Sequence, residues 1–130
     1  MGNYFQKEIE CASADQIRAW QNERLVKQVK NIYDNVPYYR TRMQNKGLEP
    51  GDIKSIDDLH KLPFITKDDL RDAYPYGLLA RPLKDCVRMQ STSGTTGRRV
   101  VAFYTQHDLD LWEDCCARAI VAAGGTKEDV

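Results

Sequence analysis

Ser91-Thr92-Ser93-Gly94-Thr95-Thr96-Gly97-Arg98-Arg99 stands between two runs that read as β-strands, Val87-Arg88-Met89-Gln90 before it and Val100-Val101-Ala102-Phe103-Tyr104 after it. Five of its first seven residues carry hydroxyls, two are glycines, and two guanidinium groups follow. A polyphosphate wants that set. Glycines let backbone N–H groups turn inward and approach closely, hydroxyls donate without adding charge, and a cation neutralises the terminal phosphate. The segment is not a Walker A loop, because only two residues separate Gly94 from Gly97 and no Lys-Ser/Thr follows. Nor is it a dinucleotide G-x-G-x-x-G. A surface hairpin rich in Ser, Thr and Gly is the plain competing reading of its composition.

Working outward toward the C-terminus, Thr105 to Asp108 is a helix-start signal, and Leu109, Trp112, Cys116, Ala119, Ile120 and Ala123 recur behind it at helical spacing. Gly124-Gly125 stops that helix, and Trp112 is expected in the core. Strand, crossover helix and loop normally deliver a second parallel strand, and here the sequence reaches Val130 without one. The chain is therefore expected to be a piece of something longer.

Toward the N-terminus the character is helical. Ser13-Ala14-Asp15-Gln16 is a capping-box sequence, and Ile17, Trp20, Leu25, Val29, Ile32 and Val36 predict an amphipathic helix from about Ala14 to Asn35. Pro37 ends it and opens the next, which runs to about Lys46 with Gly47 as its stop. Glu49-Pro50-Gly51-Asp52 reads as a turn. Ser55 to Asp58 and Thr66 to Asp69 open two short helices separated by Leu62-Pro63, and Tyr74-Pro75-Tyr76-Gly77 is another stop. The acids at those starts suit the helix dipole and do not form a catalytic pair. The fold class expected is α/β, with a mainly helical segment over residues 1–85 and the opening of a larger sheet over 86–130.

Composition narrows the function classes. The chain has 130 residues, room for one ordinary domain, and with 42% hydrophobic and 29% charged residues it can pack a core. Nineteen basic side chains balance nineteen acidic ones, which argues against a nucleic-acid or membrane-surface binder working by bulk charge. Tyr38-Tyr39-Arg40-Thr41-Arg42 interleaves aromatics and cations, yet with zero net charge a packed helix start is the better reading. No apolar run approaches the roughly 18 residues a membrane span needs. Met1 to Gln6 lacks the charged start and apolar core of a signal peptide, so a cytoplasmic protein is expected. Cys11, Cys86 and the adjacent Cys115-Cys116 form no metal-ligand spacing with His60 or His107, so no metal site is expected and the cysteines read as buried or half-buried free thiols.

The loop resembles the phosphate-binding signature of adenylate-forming enzymes, the acyl- and aryl-CoA ligases among them. Asn35 to Arg40, Ile53 to Leu59 and Lys61-Leu62-Pro63-Phe64-Ile65-Thr66-Lys67-Asp68-Asp69-Leu70-Arg71 resemble the phenylacetate–coenzyme A ligase branch. So does Tyr104 to Leu109 with Trp112 and Ala117 to Ala119. The resemblance runs from about Trp20 to Val130. It implies an ATP-binding ligase that joins an aromatic carboxylic acid to coenzyme A through an acyl-adenylate, with Mg2+ and the loop holding the phosphates. It assigns Ser91, Thr92, Ser93, Gly94, Thr95, Thr96, Gly97 and Arg98 to that loop. The branch usually carries Lys-Pro-Thr where this chain has Arg98-Arg99-Val100. The family's adenine pocket, acyl pocket and C-terminal lid belong to sequence beyond Val130, so the chain alone is expected to hold no catalytic residue and to be inactive. Its uncovered sheet edge and helix faces predict self-association, as a homo-oligomer, or a partner chain. A stand-alone phosphate-binding module and a helical interaction domain with an idle hairpin are the two rival readings.

Overall fold

A computed structural model describes residues 3–94, 97 and 99–129. Among the described residues five α-helices and one hairpin follow each other: α1 (Lys7–Glu10), α2 (Ala14–Asn35), α3 (Pro37–Asn45), α4 (Lys67–Asp72), β1 (Cys86–Ser91), β2 (Val101–Thr105) and α5 (Gln106–Ala122). Short 3-10 turns at Pro50–Asp52, Ile56–Lys61 and Leu83–Asp85 fill the connections. The long helix has the bounds its periodicity sets. Ser13 caps it by accepting from the Gln16 amide, and Val36 in extended conformation ends it before Pro37. Pro37 then opens α3 at a position where its missing N–H costs nothing.

The acids at the helix starts do structural work. Ser55 with Asp58, Thr66 with Asp69 and Thr105 with Asp108 each close a reciprocal capping box. The sequence marks all three. It gives no comparable sign of α1 or of the Leu83–Asp85 turn, which are short pieces with no side-chain cap at their starts.

The core is small and lies under α2. Val29, Val36, Met43 and Ile53 are at most 1% exposed, and Leu25, Tyr33, Leu48 and Leu62 pack partly buried around Val29, Met43 and Ile53. The rest of the expected apolar stripe is less covered: Ile17 is exposed and Trp20, Leu25 and Ile32 are half-buried. The turn at Ile56–Lys61 meets this end of α2 through polar contacts, Arg18 with Asp57 and the Ile56 amide donating to Asn22, rather than through apolar cover. A second correction concerns α5. Trp112 lies against Tyr104, ring centres 5.6 Å apart, but remains 43% exposed rather than in the core. A third concerns the thiols: Cys86 is half-buried, while Cys11, Cys115 and Cys116 are exposed. Of α5 only Leu109 is buried, and the rest of the helix is half-buried or exposed.

A ring of polar contacts fastens α3 to α4. The Tyr38 hydroxyl donates to Asp69 at 2.6 Å, Arg42 donates to the same carboxylate at 2.5 Å and to the Phe64 carbonyl at 2.9 Å, and the Arg42 guanidinium lies 4.8 Å over the Tyr38 ring. The aromatic–cationic stretch is thus a packed helix start, with Tyr38 and Tyr39 half-buried.

Candidate phosphate-binding hairpin

The two strands pair antiparallel, Met89 opposite Phe103, Gln90 opposite Ala102 and Ser91 opposite Val101. The sheet among the described residues is this hairpin alone. The crossover helix therefore starts from the second strand of a hairpin whose tip is the hydroxyl-rich segment. Alternation sends Phe103 toward Tyr76, ring centres 5.6 Å apart, and Tyr104 toward Trp112 on α5. A cleft of about 800 Å3 runs on the Phe103 side, with Asn31, Tyr74, Arg81 and His107 also in its walls.

The ladder continues one step past the strands. The Thr92 amide donates to the Val100 carbonyl at 3.0 Å, and the Val100 amide donates to the Thr92 hydroxyl oxygen at 3.1 Å. That closure forms a neck. Beyond it the Gly97 amide donates to the Gly94 carbonyl at 3.2 Å, closing a tight turn. The turn needs glycine at both ends, with φ +74° at Gly94 and +127° at Gly97.

The expected site residues fall as follows. Ser91 ends β1, and Thr92, Ser93 and Gly97 are exposed at the tip, with Gly94 half-buried between them. Thr95, Thr96 and Arg98 lie outside the described residues. Thr92 is committed to the neck as an acceptor, while its O–H proton remains available to donate outward. Ser93 keeps its hydroxyl at the mouth, with no hydrogen bond to the described residues.

Sequence reasoning passed over two features of this hairpin. Residues 86–105 contain Arg88, Arg98 and Arg99 and no carboxylate at all. The nearest acids along the chain, Asp85 and Asp108, stand at the hairpin's base, roughly 17 Å of extended strand from the tip. That is about two Debye lengths in physiological salt, so they leave the tip's positive field intact. Asp108 is moreover occupied: the Thr105 hydroxyl and amide hold its carboxyl below the usual carboxylate range. The second feature is where the Arg99 side chain lies, since the sequence shows its charge and not its direction. A Cβ built on Gly94 would stand 2.7 Å from the Arg99 Cγ, so the arginine stem lies directly across that glycine.

The donor set of amides, hydroxyls and guanidinium fits phosphate oxygens and not a bare cation. Among the described residues no group of three or more His, Cys, Asp or Glu side chains could share a metal ion. No described helix is long and apolar enough to cross a membrane.

No family model matches the chain. It is 49% identical over 121 residues to the phenylacetate–coenzyme A ligase of Pseudomonas putida, covering 93% of this chain and 28% of that protein. Identity is 45% over 121 residues with the Escherichia coli K12 enzyme of that name and 40% over 120 residues with that of Thermus thermophilus. The chain thus spans about 28% of the length of these relatives. Among solved structures, 2-hydroxyisobutyryl-CoA ligase with 2-HIB-AMP and CoA superposes with a TM-score of 0.80 at 25% identity over 91% of this chain and 26% of that one. The same ligase in its postadenylation state gives 0.85 at 22% identity, a likeness of fold, over 97% of this chain. By sequence the chain is a relative of the phenylacetate–coenzyme A ligases over about 28% of their length, and by fold it matches part of 2-hydroxyisobutyryl-CoA ligase.

Proposed function

We propose that this chain is the phosphate-binding portion of an ATP-dependent aryl-acid coenzyme A ligase. The reaction is acid plus ATP plus coenzyme A giving acyl-CoA, AMP and pyrophosphate. A carboxylate is a poor electrophile. It first attacks the α-phosphorus of ATP, the bond to the bridging oxygen breaks, and pyrophosphate leaves; the thiol of coenzyme A then displaces AMP from the acyl-adenylate. The observation that carries this reading is the acid-free hairpin whose neck is closed by Thr92 and Val100 and whose tip sequence, residues 91–99, is made of hydroxyl residues, glycines and arginines. The high identity to phenylacetate–coenzyme A ligases supports it, and so does the likeness to a ligase solved with an acyl-adenylate and CoA.

In this reading Ser91, Thr92, Ser93, Gly94, Thr95, Thr96, Gly97 and Arg98 surround the β- and γ-phosphates. Preorganised donors there stabilise charge as it builds on the leaving pyrophosphate. Mg2+ supplies further charge neutralisation when bound on the nucleotide. The acid is aromatic, and the cytoplasm is where ATP and coenzyme A meet it. The chain spans about 28% of the relatives' length, and in this reading turnover needs the remaining part of the enzyme as well. The helical residues 1–85 and the hairpin–helix unit 86–130 are its two parts.

Calorimetric titration of the chain with Mg·ATP tests the reading. Inorganic triphosphate serves as competitor and the Thr95→Ala/Thr96→Ala double variant as control. Binding that triphosphate displaces and the double variant loses is the expected result. Absence of any binding by the folded chain would count against a loop that works within it. A second reading, phosphate binding without chemistry, is favoured by the loop's own closure at Thr92 and Val100. Restored acyl-adenylate formation on adding the remaining part of a relative would decide against that reading.

A further inference from the structure

We propose that Arg99 is the cation that fixes the anion in this hairpin, and that Gly94 is glycine in part so that Arg99 can lie across it. The inference rests on the phosphate-binding reading above and deepens it by naming which of the two arginines holds the anion. Three observations carry it. The Arg99 Cγ would stand 2.7 Å and its Nε 3.4 Å from a Cβ at Gly94, so stem and guanidinium cross the loop rather than pointing away. The Gly97 carbonyl lies 3.3 Å from the same point, which sets the arginine beside the turn that closes the tip. Among the described residues no hydrogen bond or ion pair engages the Arg99 guanidinium, and the hairpin has no carboxylate to engage it.

A guanidinium whose Nε lies beside Gly94, with its planar donors unspent among the described residues, is matched to a phosphate-type anion. Its position across the tip also places it within the loop, where side chains at the outer end of a strand would swing free. Gly94 serves two ends at once: its φ of +74° makes the turn, and its missing side chain leaves the space the Arg99 stem fills.

The test is titration of the full 130-residue chain with inorganic triphosphate at several salt concentrations. Arg99→Met keeps the stem and removes the charge, Arg99→Lys keeps a charge without the fork, and Arg98→Met is the comparison. Arg99 is exposed, so melting curves of its variants should match the parent. Arg99→Met should weaken binding about tenfold or more and flatten its salt dependence, as expected for one lost charge-assisted contact. Arg99→Lys should recover part of the loss, and Arg98→Met should cost less than Arg99→Met. Gly94→Ala should weaken the parent more than it weakens Arg99→Ala, which has no Cγ to displace. Arg99→Met binding within twofold of the parent, with an unchanged salt dependence, would overturn the proposal and leave the loop reading standing. So would a larger loss from Arg98→Met. A parent chain that binds no triphosphate overturns the loop reading and this inference together.

Discussion

Thr92 and Val100 hold each other by both ends: each donates its amide, one to a carbonyl at 3.0 Å and the other to a hydroxyl oxygen at 3.1 Å. Only the second bond belongs to a side chain, so it can be removed without touching the backbone ladder. Thr92→Val keeps the branched shape and leaves the Val100 amide to water. A bond of this kind contributes about 0.5–1.5 kcal/mol, so loop closure and triphosphate affinity should fall between about twofold and tenfold. Thr92→Ser restores the oxygen and should restore most of the affinity. Equal affinity in Thr92→Val and the parent would show that the neck is held by the ladder alone.

The neck was legible in retrospect and the site around it only in part. Ser91 to Gly97 read by composition as a candidate phosphate loop, and the strands on either side declare themselves by β-branched and aromatic residues. Counting the hairpin register back from the glycine turn pairs Thr92 with Val100, which is enough to find the closure. Nothing in residue order says that the Arg99 stem crosses Gly94, because side-chain direction in a tight loop depends on φ values that sequence does not print. The helix starts were the clearest signals of all: Ser55, Thr66 and Thr105 with their acids three residues on each close a capping box. What periodicity overstated was burial. Ile17 and Trp112 sit at apolar positions of real helices, yet exposure follows what neighbouring element covers them, and that is a tertiary fact.

Acid should unfold this chain in a window set by two capping carboxylates. Asp69 is held at about 2, against an ordinary 3.8, first by the Tyr38 hydroxyl and then by the Thr66 amide and hydroxyl and by Arg42. Asp58 is also held at about 2, by Lys61 and by the Lys54 and Ser55 amides. Both pKa values are depressed on folding, so the stability they confer is complete above about pH 4 and is lost as pH falls through the folded values near 2. The melting temperature should therefore be flat above that range and drop steeply below it. Asp69→Asn should lower the plateau and make the drop shallower, since the variant has one depressed carboxylate fewer. An acid limb unchanged in Asp69→Asn would refute the assignment.

Met43 should be the least replaceable side chain in the molecule. It is fully buried between α2 and the turn carrying Ile53, in a core that has only a handful of such residues. Truncation to alanine in a core costs about 2–5 kcal/mol, a large share of the roughly 5–15 kcal/mol that holds a domain together. Met43→Ala should abolish a cooperative urea transition or move its midpoint far down. Ile120→Ser, on a residue 60% exposed, should leave the midpoint where it was. Similar midpoints for the two variants would show that the core is not where burial puts it.

The hairpin ought to drive association of the isolated chain. A two-stranded sheet has two open edges and is marginal without a partner. On β1, Val87 is 58% and Met89 64% exposed, and α5 leaves Leu111, Trp112 and Ile120 similarly uncovered. Light scattering over a concentration series should show mass rising above that of one chain, and the rise should be favoured by salt, because screening removes repulsion between the arginine-bearing tips. Met89→Lys adds a charge to the outer strand, a change known to blunt edge pairing, and should shift the series toward monomer without moving the melting temperature. A sharp monomer at high concentration in the parent would show that these exposed apolar side chains do not drive association. A Met89→Lys variant that associates as strongly as the parent would transfer the interface from β1 to the face of α5, where Ile120→Ser would then be the variant that breaks it.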